Sequence, residues 1–378
     1  MRRILDLPRA GALLQAASVL CGLLITTAPE ARAAASGSIP VITEIALPED
    51  SRPSFLAADV AGNIWFTETI HDHVGRLNKN SLELTRIATD RGAWPRVIGI
   101  DPAGNAWVTM FDSIGKIPAG TSSLEEYDPP SSDTWPAFLA IDGDGNVWFT
   151  EHYGLAVLRK GSQMITEWRL PDAEKTLPSR IVSDQEGTIW FTEEKGNRIG
   201  MFAKGQKAPI EIPVPTVDAI PKSITTDGFG NVWFVETDAD RIGRIAHGER
   251  TVVEFVTPTG HSRPDKIVAD PMGNIWFTEI RANRIGLLAR GESSIVEIPI
   301  PTPDSKPSDI VSDASGTIWF IEEAGNKVGR IAAGSRTITE IPIPSADSKP
   351  FSMLVDPDGD IWISEQAAHK LGRIAAGS

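Results

Sequence analysis

One heptapeptide, Gly273-Asn274-Ile275-Trp276-Phe277-Thr278-Glu279, returns with small changes from one end of the chain to the other. Its tryptophan falls at Trp65, Trp107, Trp148, Trp190, Trp233, Trp276, Trp319 and Trp362, always 41 to 43 residues after the last. Eight returns at so even a spacing define a repeat protein, and a repeat overrides the two-domain expectation that 378 residues would otherwise raise.

Within one repeat the apolar segments are short and divided by turn chemistry. The unit opening at Thr251 runs through Val256, crosses a proline-rich connection to Pro264, and resumes at Lys266 to Ala269. The turn Asp270-Pro271-Met272-Gly273-Asn274 follows, then Ile275 to Glu279, a polar loop, and Arg284 to Leu288. Runs of four to six residues, rich in β-branched side chains and bounded by Gly, Pro, Asn and Asp, read as strands. Aspartate can bond its own turn backbone and glycine takes positive φ freely, so the Asp-x-x-Gly turns read as hairpins, with calcium binding at Asp142-Gly143-Asp144-Gly145 the minor alternative. Four antiparallel strands per unit predict an all-β fold, a single β-propeller. Eight blades are expected, with seven as the alternative. The chain enters on Val41-Ile42-Thr43-Glu44-Ile45, which resembles the outer segment of every later unit, and leaves on the fourth segment Lys370 to Ile374. The N-terminal strand is therefore expected to complete the last blade and close the ring over residues 41–378.

Residues 1–33 stand outside this pattern. Arg2, Arg3 and Arg9 precede an apolar run from Leu13 to Thr26, and Ala31-Arg32-Ala33 offers small residues for signal peptidase. The run is short for a membrane span, so the segment reads as a secretory signal peptide and the protein as secreted or periplasmic. Cys21, the one cysteine, lies inside it behind Leu20, which disfavours lipidation. Cleavage would remove four arginines and two acids and move the formal charge from −14 to −16. So acidic a chain has no electrostatic basis for binding nucleic acid or anionic lipid. No membrane association after cleavage and a monomer are expected.

Ligand sites on propellers belong to loops carried by the rigid ring. The inner strands begin after Pro53, Pro95, Pro136, Pro178, Pro221, Pro264, Pro307 and Pro350, and their partners end at Glu68, Glu151, Glu193, Glu236, Glu279, Glu322 and Glu365. Both sets are expected at one mouth of the central channel. The glutamates are expected to pair with Arg198, Arg241, Arg284, Lys327 and Lys370 or with backbone N–H groups. If left free they would favour a cation, with Glu279 and Glu322 as metal candidates. Departures from the repeat mark a pocket around blades one to three. Met110 replaces the glutamate, Trp94 and Trp135 precede their prolines, and His71, His73 and His152 lie in neighbouring loops. Arg96, Lys222, Asp265 and Lys266 stand just after prolines and differ from the Ser or Ala seen there in other units. Substrate-binding candidates are thus His71, Trp94, Arg96, Trp135, Lys222 and Asp265. His247, His261 and His369 read as solvated loop residues.

The repeat in full, as in Ile338-Thr339-Glu340-Ile341-Pro342-Ile343-Pro344 and Ile275 through Gly286, resembles the streptogramin B lyase (virginiamycin B lyase) family over about residues 41 to 378. The resemblance implies opening of an ester-linked cyclic depsipeptide by elimination without water, with magnesium, at histidines after the repeated proline and a glutamate near the end of the Trp strand. It also implies seven blades. Here the residues after the eight prolines are Ser54, Arg96, Ala137, Ser179, Lys222, Asp265, Ser308 and Phe351. Without histidine there, elimination needs another proton acceptor, and Glu193, Glu322, Glu365 and His152 are the catalytic candidates. The expected function is an exported lyase-like propeller taking a small-molecule or cyclic peptide ligand. The alternatives are a non-catalytic binding propeller and a metal-dependent lactonase-type hydrolase.

Overall fold

A computed structural model of the chain describes residues 39–377; the expected signal segment lies outside them. The described residues form eight four-stranded antiparallel sheets, so the eight-blade expectation holds and seven is set aside. Blades one to seven each use four consecutive strands. Blade eight takes three strands from the C-terminal end and its outer strand, Thr43–Ala46, from the N-terminal end. That strand pairs with Lys370–Ile374, setting Thr43 opposite Arg373 and Ala46 opposite Lys370. Among the described residues helix is confined to one turn at Thr69–His71 and one at Ala173–Thr176. No helix among the described residues is long and apolar enough to cross a membrane.

The heptapeptide builds the blades by alternation. In a strand successive side chains take opposite faces, so Trp points to one neighbouring blade and Phe to the other. Each hydrophobic cluster accordingly joins two blades. Trp190 of blade four packs with Ile224 and Phe234 of blade five, and Trp362 of blade eight packs with Ile64 and Phe66 of blade one. The indole of each of the eight repeat tryptophans is nearly buried, and its N–H donates to the aspartate of its own turn at 2.8–3.1 Å, from Trp65 to Asp59 through Trp362 to Asp356. The other carboxylate oxygen accepts backbone N–H groups of the turn, as Asp270 Oδ1 does from Met272 and Asn274. These carboxylates are structural, in keeping with the hairpin reading.

The glycine of the fourth segment is required by the Phe face. A Cβ on Gly286 would lie 2.0 Å from the Phe277 ring, and the same approach recurs at Gly75, Gly200, Gly243 and Gly329. Adjacent blades are also latched at their rims. Thr216, Thr259 and Thr302 each donate N–H and hydroxyl to an outer-strand glutamate of the next blade, Glu254, Glu297 and Glu340. Ser345 does the same to Glu44, so the N-terminal strand supplies blade eight with its latch as well as its edge.

Candidate functional site

The mouth takes its side chains from the start of the inner strands. In blades four to eight the ladder breaks just after the repeated proline, as between Pro178 and Ile181 or Pro264 and Ile267. A bulge of this kind bends the strand and re-aims side chains. It releases Ser179-Arg180, Lys222-Ser223, Asp265-Lys266 and Ser308-Asp309 from the ladder. Threonines of the Trp strands fix the adjoining backbone. Thr67, Thr109 and Thr150 hydroxyls donate to the carbonyls of Arg96, Ala137 and Ser179 in the following blade at 2.7, 3.2 and 2.8 Å.

The result is an asymmetric charged cavity of about 320 Å³, lined among others by Arg96, Phe138, Arg180, Lys222, Asp265 and Lys266. The Arg180 guanidinium stacks over Phe138 at 4.1 Å, and Lys222 Nζ stands 3.9 Å from Asp265 Oδ1. Asp309 accepts the N–H of Ile310 at 3.1 Å and that of Met353, in the next blade, at 3.0 Å. Burial, then the nearby Arg180 charge, pushes the Lys266 ammonium down from its usual range. Burial also lowers Arg180 and raises Asp309. Desolvation disfavours charge on each of the three, while the attraction of Asp309 for both cations opposes it. On the apolar side Phe55 meets Phe138 and Phe351 edge-on, at 6.4 and 5.3 Å between ring centres.

Of the residues predicted from sequence, Arg96, Lys222 and Asp265 come together here. Lys266, singled out with them, lines the same cavity; Arg180 on its wall and Asp309 close behind join them unforeseen, each two positions after its proline. Trp94 and Trp135 form a second group with Phe111 and His152, an aromatic chain with successive ring distances of 5.4, 5.8 and 5.1 Å. The two indoles are about half exposed, 52% and 46%. Their positive φ is a property of the repeat, since Leu177, Ile220, Arg263, Lys306 and Lys349 share it at the same position. His71 lies apart from this chain, in the turn of blade one near Asp50. His369 is half-buried against the Ser51 carbonyl and so departs from the expected solvated loop residue.

The pairing expected for the Trp-strand glutamates is corrected. Arg198, Arg241, Arg284, Lys327 and Lys370 turn to outer-strand carboxylates instead, Glu211, Glu254, Glu297, Glu340 and Glu44, at 2.5–3.8 Å. Glu193, Glu236, Glu279, Glu322 and Glu365 are left fully buried. Burial first, and the neighbouring outer-strand glutamate second, pushes their carboxyls up to about 8, or about 7 for Glu322. Only Glu68 takes a cation, because blade one carries Arg86 at the outer position: the two meet at 2.5 Å, with the Ser51 hydroxyl donating at 2.6 Å. Glu193, Glu322 and Glu365 are thus sealed from the channel. Glu279 and Glu322 stand in different blades, and among the described residues no three His, Cys, Asp or Glu side chains converge as a metal set. Magnesium requires a tight oxygen shell. Burial-raised carboxyls that face at most one other carboxyl each, and a cation-rich cavity, do not fit one.

A ring of four-stranded blades with a charged mouth defines this chain as an eight-bladed propeller with a channel-end site. The model of the virginiamycin B lyase family matches residues 40–293 and 210–378, and the chain belongs to that family. Virginiamycin B lyase from Staphylococcus aureus is 25% identical with a TM-score of 0.64, over 88% of this chain and 98% of that one. The same values of identity and coverage hold, with a TM-score of 0.63, for a catalytically inactive histidine-to-alanine variant of that enzyme with Quinupristin. The Dos1 propeller reaches a TM-score of 0.72 at 10% identity over 90% of this chain and 95% of that one, a likeness of fold alone. A search of curated proteins finds no match.

Proposed function

We propose that this protein is a carbon–oxygen lyase that opens an ester-linked cyclic substrate by elimination at the channel mouth. One observation carries the reading: two positions after the repeated proline, a lyase-family propeller holds the desolvated cations Arg180 and Lys266 on the wall of a cavity, with Asp309 buried close enough to act on both charges. Elimination needs a base for the proton next to the carbonyl and positive charge where the carbonyl oxygen gains electrons. Lys266, the amine most easily deprotonated, takes the proton. The electron pair of that C–H bond becomes the new C=C, and the C–O bond breaks with its pair leaving on the carboxylate. Arg180, held against Phe138, faces the developing charge. No water is consumed. The basic-then-apolar start of the chain leads us to put this activity outside the cytoplasm. A second reading, ligand binding without catalysis, is favoured by the lack of histidine at all eight post-proline positions.

The test is incubation of the mature protein with a streptogramin B, with and without magnesium, followed by chromatography and mass spectrometry. Elimination gives a linear product of unchanged mass, whereas hydrolysis adds the mass of water. Lys266→Met is expected to lower the rate about a hundredfold or more with an unchanged circular dichroism spectrum. Absence of any linear product at high protein concentration would sink the lyase reading and leave the binding one.

A further inference from the structure

Blade three departs from blades four to eight in the hairpin that follows its Trp strand, which is two residues shorter, and a cavity stands at the departure. In blades four to eight the Trp-strand glutamate faces an arginine or lysine across the ladder, and that cation reaches the outer-strand glutamate. Blade three keeps both carboxyls, Glu151 and Glu167, but Gly154 occupies the cation's position opposite Glu151. No larger residue fits, because a Cβ there would lie 2.2 Å from the Trp168 carbonyl oxygen. A cavity of about 330 Å³ stands over the two carboxyls, walled by Tyr153 and Trp168. Glu151 is 5% exposed, and its Oε1 is buried with no hydrogen-bond partner. Glu167 keeps its latch, accepting the N–H and hydroxyl of Ser131 at 3.2 and 2.5 Å.

We propose that this cavity binds an organic cation, an alkylammonium or guanidinium group that supplies the charge the sibling blades carry on their own chain. The siblings define what the carboxyl pair accepts, and the Tyr153 ring on the cavity wall already attracts one cation, Arg169; the Trp168 ring packs away from the carboxyls, against Trp148 and Phe202. Two carboxyls are too few for a divalent metal shell. Arg169 also lines the cavity, but it lies over the Tyr153 ring at 4.6 Å and forms no ion pair with either glutamate. The Glu151 carboxyl is pushed up to about 8 by burial and then by Glu167. A bound cation would draw its proton off, so binding tightens as pH rises toward 8. Glu167, Asp133, Tyr153 and Arg169 share the cavity, and His152 adjoins it along the chain.

Calorimetric titration of the mature protein with benzylamine and propylguanidine, and with benzyl alcohol as the neutral control, tests this. Saturable binding of the cations is expected, stronger at pH 8 than at pH 6 and weakened about tenfold or more in Glu151→Gln and in Glu167→Gln. Equal binding of benzyl alcohol overturns the proposal, as does unchanged affinity in both variants. So does saturation by magnesium but by neither amine, or no saturation by the amines below about 10 mM. The site is separate from the channel mouth, so these outcomes are independent of turnover there.

Discussion

At the scale of single residues, the repeat owes its regularity to side chains that meet across the ladder. Gly286 leaves room for the Phe277 ring where any β-carbon would overlap it at 2.0 Å. Gly286→Ala is therefore expected to destabilise the protein by about 1–3 kcal/mol, the usual range for forced overpacking, measurable as a lowered midpoint in urea. An unchanged midpoint would mean that the ring can move aside. This scale was unevenly legible in the sequence. Trp276 and its turn aspartate Asp270 recur in copy after copy, so the blade-building and the turn roles followed from periodicity; the need for Gly286 beneath the Phe277 ring did not. The fate of Glu279 did not follow, because Arg284 lies opposite it in register yet bonds Glu297 on the next strand. Glu279, Arg284 and Glu297 share one face of the sheet in this register, so periodicity alone does not choose between the two glutamates. Arg180 and Asp309 were missed because a bulge after the proline re-aims two residues, and no residue type signals it.

At the scale of elements, the outer strand is both edge and fastener. Glu44 accepts two bonds from Ser345 of blade seven's outgoing loop and one from Lys370 of blade eight. The Glu44 carboxyl is held below its usual range by Lys370 and Ser345, against the opposing pull of burial. Glu44→Ala is expected to lower stability by about 1–3 kcal/mol and to raise hydrogen exchange first in the strands Thr43–Ala46 and Lys370–Ile374. Exchange loosened evenly round the ring would contradict the fastening role. Closure of blade eight by the N-terminal strand was readable from the likeness of Val41 to Ile45 to the later outer segments. The latch was not, since it joins Glu44 to Ser345, residues 301 apart in sequence.

For the whole molecule, the sealed carboxyls set an unusual response to pH. Glu151, Glu193, Glu236, Glu279 and Glu365 hold their protons to about 8 and Glu322 to about 7 in the folded protein. In the unfolded chain they release them near 4.5. Between those limits the folded state binds more protons, so stability falls as pH rises through the window. Carboxylates held low by partners, such as Asp101 and Asp356 with their indole bonds, act oppositely and lose their contribution at strongly acid pH. The melting temperature is expected to peak in mildly acid solution and to decline from about pH 5 to pH 8. Net proton uptake on folding at pH 6 would be the calorimetric signature, and proton release there would contradict it.

The shared blade also decides how the ring answers force. Thr43 and Arg373 sit opposite each other at the same end of an antiparallel ladder. A pull on the two chain ends would load that ladder like the two tabs of a zipper, one rung at a time. Sliding the strands lengthwise would strain every rung together. Mechanical opening therefore starts at blade eight and at low force. The seven blades built from consecutive strands would be exposed to load only after that seam has parted.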